Sequence, residues 1–188
     1  MSENKLNISI VIASYKQDKE LNYLLKQILK AGKLYEGKFE IIIVSDGQEV
    51  VFDKDIDKNS FNYYKFEKNS GSGKARDFGV KKSQYEIILF LDSDIEINCD
   101  FFQIIDKNIR IDGNDGVIGV VDSLPLNRSV LTARYLAAET NFLGRKSKIN
   151  RHQFFIGLCG AIKKNVYLNN FGFYHKVIDD MEFSSRLE

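Results

Sequence analysis

Apolar positions along the chain follow two periods, and their alternation lays out the elements. Ile8, Ile10, Val11, Ile12 and Ala13 form a nearly continuous apolar run that predicts a first strand. Leu21, Leu24, Leu25, Ile28 and Leu29 then recur at three- and four-residue spacing, the period of one helix face, and Gly32 would stop that helix. A second apolar run, Phe39 to Val44, ends in Ser45-Asp46-Gly47, and a third strand is predicted around Asn62 to Phe66. Gly73 to Lys82 reads as a short helix leading into Ile87-Ile88-Leu89-Phe90-Leu91. Phe101 to Ile109 reads as a helix, Val117 to Val121 as a strand, and Leu131 to Leu143 as a further helix. Strands alternating with helices predict an α/β fold with a mostly parallel sheet flanked by helices on both faces.

The strand ending at Leu91 runs straight into Asp92-Ser93-Asp94. In open α/β sheets ligands gather at the carboxyl ends of the strands, which is where these carboxylates would sit. Residues two apart in extended backbone point the same way, so Asp92 and Asp94 could serve one hard divalent cation through oxygen ligands. Asp and Ser are also ordinary turn residues, so the pattern alone leaves a polar turn open.

Length and charge bound the function. At 188 residues the chain suits one domain, spanning 1–188, with Pro125, its single proline, at a seam between a nucleotide-binding half (1–122) and an acceptor-facing half (123–188). Lys and Arg number 27 against 26 Asp and Glu, so no global field recruits nucleic acid. No stretch approaches the roughly 20 apolar residues of a membrane span, and nothing marks secretion. Cys99 and Cys159 lack metal-ligand spacing, as do His152 and His175, which predicts structural thiols in a cytoplasmic protein.

Two phosphate-binding motifs fail. Gly71-Ser72-Gly73-Lys74 resembles the end of a P-loop, but Lys68 stands where its first glycine belongs and Ala75 where Ser or Thr is needed. The dinucleotide fingerprint fails because Arg76 fills its third glycine position. Gly71 and Gly73 still permit a tight turn beside a ligand, with Arg76 placed to reach a phosphate.

Several separated motifs together resemble one family. Ile10 to Tyr15, then Val44 to Gly47, then Asn69, Gly71, Ala75, Arg76 and Gly79 in the order N-x-G-x-x-x-A-R-N-x-G, then Asp92-Ser93-Asp94 as a D-x-D, are similar to a family 2 glycosyltransferase of the GT-A fold. Gly157 to Ala161, Lys163, Lys164 and Gly172 resemble the segment before that family's catalytic acid, which would fall in Asp179 to Arg186. Asp77 replaces the usual asparagine, Ser45 the first of two aspartates, and Asp179 a glutamate.

The resemblance implies an inverting transfer of a sugar from a nucleoside-diphosphate donor to a hydroxyl acceptor. Asp94 would ligate Mn²⁺ or Mg²⁺ directly, with Asp92 acting through water or on the ribose hydroxyls. Ala13, Ser14 and Tyr15 would wrap the base, and Asp46 would accept from a pyrimidine imide, favouring UDP- or dTDP-linked donors. Asn69, Gly71, Arg76 and Ser93 would complete the donor site. Asp180 would be the general base, with Gly160 and Asp179 beside a glycan or lipid-linked glycan acceptor. Asp179 and Asp180 also read as the acidic start of a helix.

Arg134, Arg145, Lys146, Lys148 and Arg151 could meet lipid-linked phosphate at the inner face of the plasma membrane or an anionic polymer, although a solvated basic face is the simpler explanation. The aromatic residues Phe154, Phe155, Tyr167, Phe171, Phe173 and Tyr174 could stack on sugars but fit a core better. The chain stops at Glu188 inside a predicted helix, which predicts a truncated or minimal acceptor side. The absence of a Q-x-x-R-W segment predicts single-residue transfer in cell-surface glycan assembly. Two alternatives stand beside this reading: a sugar-phosphate nucleotidyltransferase, which the glycine-free loop Ala13 to Gln17 argues against, and a non-catalytic sugar-nucleotide-binding module.

Overall fold

A computed structural model of the chain describes residues 5–120, 122–123, 129, 131–132, 134–135, 137–139, 141–142, 159–173, 183, 185 and 187. The first strand is β1 (Ile8–Ser14), followed by helix α1 (Asp18–Gly32), β2 (Phe39–Ser45), β3 (Asn62–Lys65), α2 (Ser72–Lys82) and β4 (Ile87–Asp92). Then come α3 (Phe101–Asp106), β5 (Gly116–Ile118), β6 (Cys159–Lys163) and a short helix α4 (Lys164–Asn169). The sheet has the order β3-β2-β1-β4-β6-β5. Its β3-β2-β1-β4 part is parallel, and β6 runs antiparallel to both β4 and β5.

The apolar runs are continuous because both faces of the parallel strands are covered. Ile8, Ile10 and Ile12 of β1, with Ile41, Ile43, Leu89 and Leu91 of its neighbours, pack against Leu21, Leu24, Leu25 and Ile28 of α1 and Phe102 and Ile105 of α3. The alternate residues face the other way. Val11, Ile88 and Phe90 join Val80, Tyr167, Phe173 and Phe183, while Ile42 and Val44 join Ala75. Each fully buried Leu or Ile of α1 contributes about 1.5–3 kcal/mol relative to exposure, so the helix owes its place to this stripe. On the opposite face Gly79 lets α2 approach: a Cβ there would lie 2.3 Å from Val11 Cγ1.

The topology makes a crevice. From β1 the chain moves outward through β2 and β3, then returns through α2 to β4 on the other flank of β1. Strand order therefore reverses between β1 and β4, the kind of point at which α/β sheets hold ligands. Register keeps the three central ends level, pairing Ser14 with Ser45 and Ala13 with Asp92.

Two predicted elements have adjusted bounds, and one strand was not predicted. The helix predicted for Phe101 to Ile109 is α3 followed by a π-helical turn, Lys107–Ile111, secured by Arg110 on Asp106 at 2.9 Å. The strand predicted for Val117 to Val121 is β5, beginning one residue earlier and ending at Ile118, with Gly119 N–H still bonded to Cys159 at 2.8 Å. Sequence patterning missed β6 as a strand: a five-residue segment containing Gly160 carries little periodicity, and pairing on both edges defines it. Of the residues predicted helical from Leu131 to Leu143, all that are described are helical, whereas Pro125 and its seam lie outside the described residues.

Candidate active site

A cleft of about 320 Å³ opens at the level carboxyl ends of β1, β2 and β4. The end of β1 contributes Ala13, Ser14, Tyr15 and Gln17, and the end of β2 contributes Asp46. Asn69, Gly71, Ser72 and Arg76 come from the turn into α2 and its first residues, and Asp92, Ser93 and Asp94 from the end of β4. The ten residues predicted from sequence to bind a donor thus share one cavity with two that were not predicted, Gln17 and Ser72. Gln17 carried no sequence signal because a glutamine before a helix is unremarkable until its partners are known.

The side chains form an ordered polar network. Asp92 follows the parity of Ile88 and Phe90 and so lies on the α2 side of the sheet, where Arg76 Nη2 meets its Oδ1 at 2.5 Å. Arg76 is buried and Asp92 partly so, and the two form a charge-assisted bond in the wall of the same cleft that the predicted donor-binding residues line. β4 ends at Asp92, and Ser93-Asp94 forms a turn instead of continuing extended. Both carboxylates still line one cleft, but through different partners: Asp94 Oδ2 accepts from Gln17 Nε2 at 2.9 Å. Buried Ser93 donates its hydroxyl to the oxygen of the same Gln17 amide.

Asp46 is 4% exposed and both of its oxygens are engaged. Oδ1 accepts the Ser70 N–H at 2.6 Å and Oδ2 the Gly71 N–H at 2.8 Å. Its carboxylate therefore shapes the turn that starts α2, at a point where Gly71 adopts φ +95°, a conformation that favours glycine. Ser45, standing where the family pattern has aspartate, donates its hydroxyl to the Gln48 carbonyl and closes the turn after β2. The buried Ser14 hydroxyl has no hydrogen-bond partner among the described residues, an unspent polar group in the wall of the cleft.

A second network fastens the segment after β6 to α2. Tyr167 donates its hydroxyl to Asp77, and Phe173 N–H bonds Asp77 Oδ1 at 3.0 Å. Burial first, then the Asp77 charge, push the Tyr167 phenol well above its ordinary pKa, so it remains a donor. A carboxylate at position 77 strengthens these bonds beyond what an asparagine would offer. The Phe173 ring lies 5.6 Å from the Arg76 guanidinium and packs on fully buried Phe183 at 5.3 Å between centroids. Most of the predicted aromatic group that is described is core, as Tyr167 and Phe173 are, while Phe171 is 78% exposed.

The remaining candidates fall elsewhere. Gly160 is buried in β6 opposite Phe90 and is not among the residues lining the cleft. Asp179, Asp180, His152, His175, Phe154, Phe155, Tyr174 and the basic residues Arg145, Lys146, Lys148 and Arg151 lie outside the described residues. Burial pushes the Cys159 thiol up to about 12, with Asp92 adding to the effect, so this cysteine is unreactive at neutral pH. Among the described residues no cluster of three or more His, Cys, Asp or Glu forms, and no helix is long and apolar enough to cross a membrane.

Comparison with known proteins agrees with this architecture. A poly-β-1,6-N-acetyl-D-glucosamine synthase of Staphylococcus aureus is 25% identical over 163 residues, covering 84% of this chain and 35% of the synthase. Among solved structures, S. aureus TarS 1–349 in complex with UDP-GlcNAc superimposes with a TM-score of 0.66 at 17% identity, over 97% of this chain and 53% of that one. The mannosyltransferase PcManGT of Pyrobaculum calidifontis in complex with GDP-Man and Mn²⁺ gives 0.68 at 13% identity, over 98% and 52%. The chain therefore spans about a third of the synthase and half of the two solved structures. The sequence model for glycosyl transferase family 2 matches residues 9–171, which takes in every described wall of the cleft. With the strand-end carboxylates, the Asp46-held turn and the GT-A sheet all inside that span, the chain belongs to glycosyltransferase family 2.

Proposed function

We propose that the chain transfers a sugar from a nucleoside-diphosphate donor, with uridine or thymidine as the favoured base, to a hydroxyl acceptor with inversion at the anomeric carbon. The observation that carries this is the gathering of Asp92, Asp94 and the Asp46-held turn in one cleft at the switch point of the sheet. Asp94 and Asp92 are hard oxygen donors, and a site offering one or two carboxylates suits Mn²⁺ or Mg²⁺, whose remaining ligands are donor phosphates and water. When bound, such a cation supplies positive charge beside the departing diphosphate. The complexes of TarS with UDP-GlcNAc and of PcManGT with GDP-Man and Mn²⁺ support a nucleotide-sugar donor and a divalent ion.

The chain's own groups divide the remaining work. Arg76 orients Asp92 and balances its charge. Asp46 keeps the Ser70-Gly71 turn against the cleft, and a carboxylate's further lone pairs leave it able to accept from a pyrimidine imide. Asp180 accepts the proton of the acceptor hydroxyl as its oxygen attacks from the face opposite the diphosphate. The acceptor is a glycan or lipid-linked glycan of cell-surface assembly on the cytoplasmic side, in line with the polysaccharide synthase among the relatives.

The test is release of nucleoside diphosphate from UDP-, dTDP- and GDP-linked sugars with and without Mn²⁺. Uridine or thymidine diphosphate released with Mn²⁺, falling on the order of a thousandfold in Asp94→Ala, is the expected result. Activity confined to GDP-sugars overturns the base assignment, and undiminished activity in Asp94→Ala overturns the metal site. Pyrophosphate released from a nucleoside triphosphate and sugar phosphate would identify a nucleotidyltransferase instead.

A further inference from the structure

Gln17 occupies a position whose backbone serves one purpose and whose side chain serves another. Its carbonyl accepts the Leu21 N–H at 2.9 Å and so begins α1, but its side chain makes no capping bond to the helix it precedes. The amide instead crosses to the end of β4, donating to Asp94 Oδ2 at 2.9 Å and accepting from Ser93. The preceding residue, Lys16, holds φ at +59°, left-handed backbone that a lysine rarely adopts, immediately before the Gln17 amide engages β4.

Amide orientation in this network is determined. A carboxylate only accepts, so a flipped Gln17 would set its oxygen against Asp94, whereas the Ser93 hydroxyl can serve the oxygen in the orientation observed. A second tie runs alongside: Gln27, further along α1, accepts the Ile97 N–H at 3.0 Å. The β4 exit is thus fastened to α1 at two points, one of them on the carboxylate.

We infer that Gln17 is a positioning residue that orients the Asp94 carboxylate, which would hold a divalent cation, by fixing its Oδ2 in a hydrogen bond. This rests on the metal site of the proposed function and goes beyond it by assigning the group that prepares the ligand. Partners of this kind fix the direction of a ligating oxygen, and their loss typically weakens metal affinity by about 10–100-fold.

The experiment measures Mn²⁺ binding directly, from the electron paramagnetic resonance signal of free Mn²⁺ titrated with protein and UDP. Gln17→Ala and Gln17→Met, the latter keeping side-chain length without either amide bond, are each expected to raise the Mn²⁺ dissociation constant about 10–100-fold. Ser93→Ala should produce a smaller shift in the same direction. In both Gln17 variants the loss of Mn²⁺ affinity should exceed any change in UDP affinity measured without Mn²⁺, and the folded far-ultraviolet spectrum should be retained. Wild-type affinity for Mn²⁺ in both Gln17 variants overturns the inference and leaves the metal site standing. A wild-type protein that takes up no Mn²⁺ with UDP overturns the metal site, and the inference with it.

Discussion

Asp46→Asn separates two roles that the sequence merges. If Asp46 only reads the base, the substitution touches nothing but ligand recognition; if its carboxylate builds the turn, the empty protein loses stability as well. Both oxygens accept backbone N–H groups, at 2.6 and 2.8 Å, in a side chain 4% exposed to solvent. Asparagine keeps the shape but offers one acceptor, and its NH₂ would face the second N–H donor. One charge-assisted bond is lost and one partly buried N–H is left unpaired, together about 2–4 kcal/mol. For a domain of this size each kcal/mol moves the melting temperature by roughly 2–4 °C, so a fall of roughly 5–15 °C is expected. The chain contains no tryptophan, so unfolding is best followed by far-ultraviolet circular dichroism in urea and on heating, without ligand. Calorimetric titration of UDP and GDP into the same variant then shows whether affinity falls for both, as a collapsed turn requires. Unchanged stability of the empty protein, with loss of uridine affinity alone, would refute the turn-building role.

Asp180→Asn should bind donor with near wild-type affinity yet transfer almost nothing to acceptor; normal transfer in a coupled nucleotide-release assay would remove Asp180 from the mechanism. Asp106 is buried, which raises its pKa, but Arg110, the Leu6 N–H and Lys5 outweigh burial and set it below the ordinary value. A depressed carboxylate contributes stability that is present above its unfolded pKa of about 3.9 and lost as pH falls through the lower folded value. Asp106→Asn should therefore cost about 3 kcal/mol at pH 7, with the difference from wild type shrinking on acidification below about pH 4 in urea unfolding; a pH-independent difference contradicts this. Gly79→Ala would force a methyl group to within 2.3 Å of Val11 Cγ1, and should cost about 1–3 kcal/mol by lifting α2 off β1; an unaltered unfolding midpoint would show that the interface yields freely.

Much of the fold was legible because burial and backbone period are local properties of sequence. Leu21, Leu24, Leu25 and Ile28 give away α1 by spacing, the apolar runs of β1 and β2 give away strands, and the unbroken run of β4 gives away a strand covered on both faces. The end of a buried strand can likewise be read, so Asp46, Asp92 and Asp94 could be assigned to a common edge before any contact was known. Short β6 escaped because its five residues acquire strand character only from β4 and β5 on either side, and distant pairing leaves no mark on a short segment.

Partners were a different matter. Sequence pointed Arg76 at a phosphate, Asp46 at a base and both D-x-D carboxylates at one spot. The folded chain gives Arg76 to Asp92, Asp46 to the Ser70-Gly71 backbone and Asp94 to Gln17. Those contacts join residues 16, 24, 25 and 77 positions apart. The amino-acid sequence by itself determined most of the elements, the parallel part of the sheet, the family and which polar residues crowd one edge. Only the tertiary structure decided which atom bonds which, because a side chain's partner is set by strands and helices brought side by side, and hydrogen bonds act over about 3 Å regardless of separation along the chain.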